Sequence, residues 1–212
     1  IQAARFRGLY EAAVILRFDH WWGAWLAAAA RIRRRIGYDQ PEVAPFLTEA
    51  VRYTPGRHEA LQNATLLEAL AEKSFGALGP TRFDPEPDDL AWAEAWLAGG
   101  SVAADERLVA IHPGAGAAVK QWPVASWARV GWAVHDRFGA RLLVTGGPAE
   151  VELAEALARQ LPPGTLNAAG QTTLGQLAAL YGRCALVAGS DSGPLHLAVA
   201  TGRPTLHLYG PV

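Results

Sequence analysis

The sequence predicts an α/β protein with two doubly wound units, the second complete and the first incomplete. Three observations carry that expectation. Short apolar runs alternate with helical stretches through residues 103–212. Those runs end in loops rich in glycine or small polar residues, as strands do where they leave a parallel sheet toward a helix. The first half holds too few such runs for a complete sheet of its own, in a chain of 212 residues where ~150 is ordinary for one domain.

In the first half, residues 12–17 read as a buried strand and residues 21–30 as an apolar helix. Residues 47–53 are a second strand candidate and 59–75 a helix. Residues 76–89 are rich in proline and acidic side chains and read as a linker. A helix follows over 89–97, with Trp92 and Trp96 one turn apart on one face. The expected division is a partial first domain with its linker over 1–88, an interdomain helix over 89–102, and a second domain over 103–212.

The second domain is the more regular. Residues 108–112 form an apolar run that ends in the turn-forming HPGAG. Pro123 opens a helix through residue 138, with Trp127, Val130 and Val134 at helical spacing. Residues 141–145 are the next strand, closed by Gly146, Gly147 and Pro148. A helix runs from about 149 to 161 and is stopped by Pro162, Pro163 and Gly164. Residues 165–167 make a short strand. Thr172 or Thr173 caps a helix to about residue 184, and a strand follows over 185–189. Residues 191–194 then lead into a short helix that ends at Gly202, before a last strand over 205–209. Five strands interleaved with four helices require right-handed crossovers, and so a parallel sheet covered on both faces.

Composition narrows the functional classes. Half the residues are hydrophobic and 18% charged, enough for a packed core. The net charge of -1 gives no pull toward nucleic acid, and no nucleic-acid partner is expected. The single cysteine, Cys184, is expected to be buried and rules out an internal disulfide framework. The six histidines show no metal-ligand spacing, so no metal is expected. With no long apolar run and no signal peptide, the chain reads as a soluble protein of a reducing compartment. It begins at Ile1 and contains no methionine, which reads as a processed protein or a fragment. All basic residues but Lys73 and Lys120 are arginine, a bias that makes a lysine stand out.

Ligands of open parallel sheets bind beyond the carboxyl ends of the strands. The stretch GSDSGPLHLA, residues 189–198, is the strongest candidate. Pro194 suits the first helical position and Asp191 or Ser192 can cap it. The free amides of that helix start suit a phosphate, with His196 in the first turn. The plainer reading is a capped helix with a buried histidine. The stretch HPGAGAAVKQWP, residues 112–123, is next. Gly114 and Gly116 permit close backbone approach, and Lys120 offers a mobile charge for phosphate. The alternative is a surface loop with a solvated lysine. Neither a phosphate-loop NTPase nor a dinucleotide fingerprint fits, because no glycine precedes Lys120, Gln121 follows it, and Val119 stands at the third glycine position. In TGGPAE, residues 145–150, Glu150 either stabilises a helix start or accepts ribose hydroxyls. The basic cluster at residues 31–35 reads as a solvated helix end, or as a contact for an anionic acceptor or membrane. Trp21 and Trp22, after His20, read as core or as the lining of an acceptor groove.

These residues carry a family likeness. HPGAG…K.WP, then LLVTGGPAE, then NAAGQTTLGQLAALYGRCALVAGSDSGPLHLAVATGRPTLHLYGPV resembles the ADP-heptose:lipopolysaccharide heptosyltransferases, glycosyltransferase family 9, in order and spacing. The first half is similar through LYEAAVILRFDHWWGAWLAAAARIRRRIGYD, which matches a strand, a helix and an RRIGY turn of the family. The resemblance implies the GT-B fold, two Rossmann-like domains with the donor site in the second and the acceptor site in the first. It implies transfer of a heptose from ADP-heptose to the lipopolysaccharide inner core, with inversion, by a cytoplasmic enzyme in peripheral contact with the inner membrane. The implied partners are a nucleotide-sugar donor and a lipid-linked oligosaccharide acceptor, with no cofactor. Carried onto this chain, Lys120 contacts the diphosphate or sugar and Glu150 the ribose. Asp191 holds heptose hydroxyls, Ser192 and Gly193 cradle the phosphates, Gly114 allows close approach, and His196 lies beside the diphosphate.

The family's strand and loop with the proposed catalytic aspartate have no counterpart here, so that aspartate is expected before Ile1. Asp19 is a carboxylate in a strand-end loop, but nothing matches it to the base. Two other readings stand beside transfer. One is a non-catalytic ADP-sugar-binding fragment. The other is a nucleotide-sugar epimerase on the same fold, which would need further acid–base groups in the cleft.

Overall fold

The computed structural model describes residues 2–77 and 79–209. The chain divides into two compact units, Ile1–Gly79 and Pro80–Val212. The first contains α1 (Gln2–Phe6), β1 (Ala12–Val14), α2 (Trp21–Ala29), β2 (Arg34–Tyr38), β3 (Glu49–Val51) and α3 (Glu59–Ala71). Its three strands pair in parallel in the order β1-β2-β3.

The central strand β2 is the element that the sequence patterning hides. It spans the segment expected as a basic helix end and a turn, and its Ile36 and Tyr38 are buried with Leu66 of α3. Its charged start is held by specific partners. Arg34 forms a two-pronged bond to Glu49 on β3, at 2.8 and 3.1 Å, and donates to the Leu70 and Ala69 carbonyls at the end of α3. Arg35 donates to the carbonyls of Phe46 and Ile32. The solvated reading therefore holds for Arg31 and Arg33, which are exposed, and fails for Arg34 and Arg35. The core reading of Trp21 and Trp22 also fails. Both are about half exposed, and Trp22 rests edge-on against His20 at 4.1 Å.

The second unit contains α4 (Pro87–Gly99), β4 (Leu108–His112), α5 (Val124–Phe138), β5 (Arg141–Val144), α6 (Val151–Ala158), β6 (Leu166–Asn167), α7 (Leu174–Arg183), β7 (Cys184–Ser190), α8 (Gly193–Ala200) and β8 (Thr205–Leu208). All five strands are parallel, in the order β6-β5-β4-β7-β8. The alternation of β4 side chains explains both layers. Leu108 and Ala110 pack with Leu97 of α4, Leu180 of α7 and Leu195 of α8. Ile111 points the other way, against Trp127 of α5 and Leu157 of α6. Each such Leu or Ile contributes about 1.5–3 kcal/mol of burial. Helix α4 packs against α7 within this unit, with Trp92 stacked on Trp96 and the Trp96 indole donating to Gln171.

The strand order locates the crevice. From β4 the chain winds outward through β5 and β6, then returns to place β7 on the other flank of β4. The order reverses between β4 and β7, where ligands of such sheets bind. Gly189, near the end of β7, pairs with His112 at the end of β4. A Cβ on Gly189 would lie 2.7 Å from the His112 carbonyl oxygen, so the close approach there requires glycine.

Candidate functional site

Two adjoining cavities open beyond the carboxyl ends of β4 and β7. The first, about 470 Å³, is lined by His112, Gly147, Glu150, Thr173, Ser192 and Gly193, among others. The second, about 460 Å³, is lined by Lys120, Asp191, Ser192, Gly193, His196 and their neighbours. They share Gly116, Ser192 and Gly193, so the start of α8 lies on the boundary between them.

Polar groups that can donate gather at that boundary. Ser192 is the N-cap of α8 in extended backbone, and its hydroxyl makes no capping bond. Its Oγ is buried and has no hydrogen-bond partner among the described residues. Pro194 stands at the second helical position, not the first as expected, and carries no amide hydrogen. The Leu195 amide turns back to the Ser192 carbonyl at 3.2 Å. The first turn thus offers the Gly193 amide, the Ser192 hydroxyl and the positive end of the helix dipole.

Lys120 arrives from a short 3-10 turn, Ala118–Lys120, in the loop after β4. Its Nζ donates to Asp191 Oδ2 at 2.8 Å. That hydrogen bond, with the charge behind it, holds the Asp191 carboxyl below its ordinary pKa. His196 is mostly exposed, 3.8 Å from the other Asp191 oxygen, where the plainer reading had it buried. Its ring lies 5.7 Å from that of His207. Burial and the nearby His196 push the His207 pKa down.

The first cavity has a polar wall that the sequence did not announce. Glu150 Oε2 accepts the Gly147 amide at 2.7 Å, which is the local helix-start role expected for an early glutamate. The same carboxylate faces the cavity and lies over Gly114, where any Cβ would overlap it. His112 Nε2 stands 3.5 Å from Glu150 Oε2. His112 Nδ1 is 3.2 Å from Thr145 Oγ1, and Thr145 Oγ1 is 3.0 Å from the Tyr181 hydroxyl. Burial lowers the His112 pKa, with Glu150 opposing the shift. His112, Thr145 and Tyr181 are 33 and 36 residues apart in pairs. The sequence signalled only a histidine before a Pro-Gly turn.

Asp19 and Cys184 line neither cavity. Asp19 is paired with Arg17 at 2.7 Å, and both are exposed. Cys184 is buried at the start of β7, donates to the Leu180 carbonyl, and has its pKa pushed up to about 12 by burial. No helix among the described residues is long and apolar enough to cross a membrane.

Comparisons with known proteins place this architecture. The family model glycosyltransferase family 9 (heptosyltransferase) matches residues 5–212. The lipooligosaccharide heptosyltransferase 2 of Haemophilus influenzae is 30% identical over 120 residues, 50% of this chain and 32% of that protein. A glycosyl transferase family 9 structure from Veillonella parvula matches with a TM-score of 0.76 and 25% identity, over 95% of this chain and 58% of that one. The structure of Escherichia coli ADP-heptose lps heptosyltransferase II matches with a TM-score of 0.71 and 22% identity, over 99% of this chain and 66% of that one. The chain thus spans about a third of the curated relative and less than two thirds of the solved ones. The fold is of the GT-B kind, of which this chain covers part.

Proposed function

The chain belongs to glycosyltransferase family 9, and from that premise we propose that it carries the donor site of an enzyme transferring heptose from ADP-heptose to the lipopolysaccharide inner core, with inversion at the anomeric carbon. The observation that carries the reading is the pair of cavities joined at Ser192 and Gly193, one walled by Glu150 and the other by Lys120 and Asp191. An ADP-sugar has this layout: a ribose, a central diphosphate and a polyhydroxylated sugar.

In this reading the ribose hydroxyls donate to Glu150. The diphosphate lies on the Gly193 amide and the Ser192 hydroxyl, with Lys120 on its flank and His196 beside it. Heptose hydroxyls donate to Asp191, and Gly114, which lines neither cavity, leaves room beneath the Glu150 carboxylate that meets the ribose. As the bond from the anomeric carbon to the phosphate oxygen breaks, negative charge grows on the departing ADP. Lys120 and the α8 start stabilise it without an obligatory metal or cofactor. The acceptor hydroxyl attacks the opposite face and gives its proton to a general base, which in this reading is not one of the donor-site residues. The acceptor is a lipid-linked oligosaccharide, reached by a cytoplasmic protein in peripheral contact with the inner membrane.

Titration calorimetry with ADP and ADP-heptose tests the donor site. Micromolar to submillimolar binding is expected, weakened about tenfold by Lys120→Ala, as for the loss of one charge-assisted bond. No heat of binding at millimolar nucleotide overturns the proposal.

A further inference from the structure

The wall behind Glu150 does more than fill space. His112, Thr145 and Tyr181 are all buried, at 2% exposure or less. Buried polar groups cost free energy unless paired. A buried apolar trio would serve a packed core equally well, so their pairing calls for a reason. One proton order pairs the three side chains with one another and leaves the Nε2 proton on the side of Glu150, 3.5 Å away. The Tyr181 hydroxyl donates to Thr145 Oγ1, the Thr145 hydroxyl donates to His112 Nδ1, and the proton on Nε2 faces Glu150 Oε2. The chain runs from α7, through the ends of β5 and β4, to the one carboxylate in the first cavity.

This order leaves the two Glu150 oxygens unequal. Oε2 takes the Gly147 amide and faces the imidazole. Oε1 lies over Gly114, a residue without a side chain to push it away. A carboxylate on a flexible stem would otherwise sample several rotamers and lose entropy on meeting a ligand.

We propose that His112 is a positioning residue, backed by Thr145 and Tyr181, that holds Glu150 Oε1 ready to accept the donor's ribose hydroxyls. The proposal rests on the reading of Glu150 as the ribose acceptor. Tyr181 and Thr145 act through His112 and do not touch the donor.

The test compares the affinity of ADP with that of 2′,3′-dideoxy-ADP for each variant, by calorimetry. The ratio reads the ribose contacts alone, so a general loss of fold lowers both affinities and leaves the ratio unmoved. Tyr181→Phe and Thr145→Val remove one hydroxyl each with little change of shape. Each is expected to reduce the ratio about threefold to fivefold, and Glu150→Gln to reduce it at least as far. Thr145→Ser, which restores the hydroxyl, is expected to restore the ratio. A reduced ratio in Glu150→Gln with unchanged ratios in Tyr181→Phe and Thr145→Val overturns the positioning role and leaves the ribose contact standing. An unchanged ratio in Glu150→Gln overturns the ribose contact and the positioning role together.

Discussion

Lys120 Nζ and Asp191 Oδ2 meet at 2.8 Å and join loops 71 residues apart, one from each strand that flanks the switch point. The pair is three-quarters or so shielded from solvent on either side. Each member therefore sets the charge that a ligand meets at the other. A phosphate arriving at Lys120 approaches Asp191 as well, and like charges repel.

That relationship separates bare nucleotide from nucleotide sugar. Asp191→Asn removes an anion beside the diphosphate position and frees Lys120. ADP affinity is expected to rise about twofold to threefold, while ADP-heptose loses about tenfold relative to ADP because its sugar hydroxyls lose a charged acceptor. Competition titrations with the two ligands measure the ratio. A parallel fall for both would show that Asp191 only shapes the loop.

Gly114→Ala is expected to spare the fold and damage the site. The atoms nearest the added methyl are those of the Glu150 carboxylate, the far end of a flexible side chain that can swing away at little cost to stability. It must then give up the Gly147 amide. ADP affinity should fall severalfold with a melting temperature within a few degrees of the parent.

Gly189→Ala is expected to do the reverse of a mild change. Its methyl would meet the His112 backbone oxygen of β4 at 2.7 Å and the Leu195 side chain of α8 at 2.6 Å, both in the packed interior. Backbone cannot rotate away, so a loss of about 1–3 kcal/mol is expected in denaturant titration. Gly116→Ala, with open space around its Cβ position, is the control and should remain within about 0.5 kcal/mol.

His112 gives stability a pH slope of known sign. Its folded pKa lies below the ordinary 6.5 because burial disfavours the charged ring. Between the two values the unfolded chain binds more protons than the folded one, so stability rises with pH and is lost as pH falls below 6.5. His207 adds a slope of the same sign. His112→Asn should flatten part of this rise in melting curves between pH 5 and about 7. An unchanged profile would show that His112 does not titrate on unfolding.

Within the first unit, Arg34→Ala should lower the melting temperature while Arg31→Ala and Arg33→Ala should not. Arg34 alone of the three is tied to a neighbouring strand and to a helix end. Equal behaviour of the three would remove its assigned role.

The second sheet was legible chiefly through its inner strands, which are buried on both faces. A strand such as β4, buried in all five residues, is apolar in its first four, and that run is visible without a structure. Loop glycines were legible for the same local reason, and so was a threonine cap at 172 or 173, which the structure places at Thr173, since turn geometry and capping act over a few residues. Strand β2 was not, because its arginines fit a strand only through Glu49 and the α3 carbonyls. Nor was the His112–Thr145–Tyr181 wall, whose members look like a turn histidine, a strand end and a helix tyrosine when read apart.

The sequence by itself determined the fold class, the parallel pairing implied by alternating elements, and the loops where Lys120, Glu150, Asp191, Ser192 and His196 lie. Those features follow from periodicity and local backbone chemistry. Only the tertiary structure decided which of these groups face one another. It paired Lys120 with Asp191, turned Glu150 onto Gly114 and placed a buried histidine behind it. Hydrogen bonds and charge pairs act over a few ångströms, and those distances are set by how the strands order in the sheet.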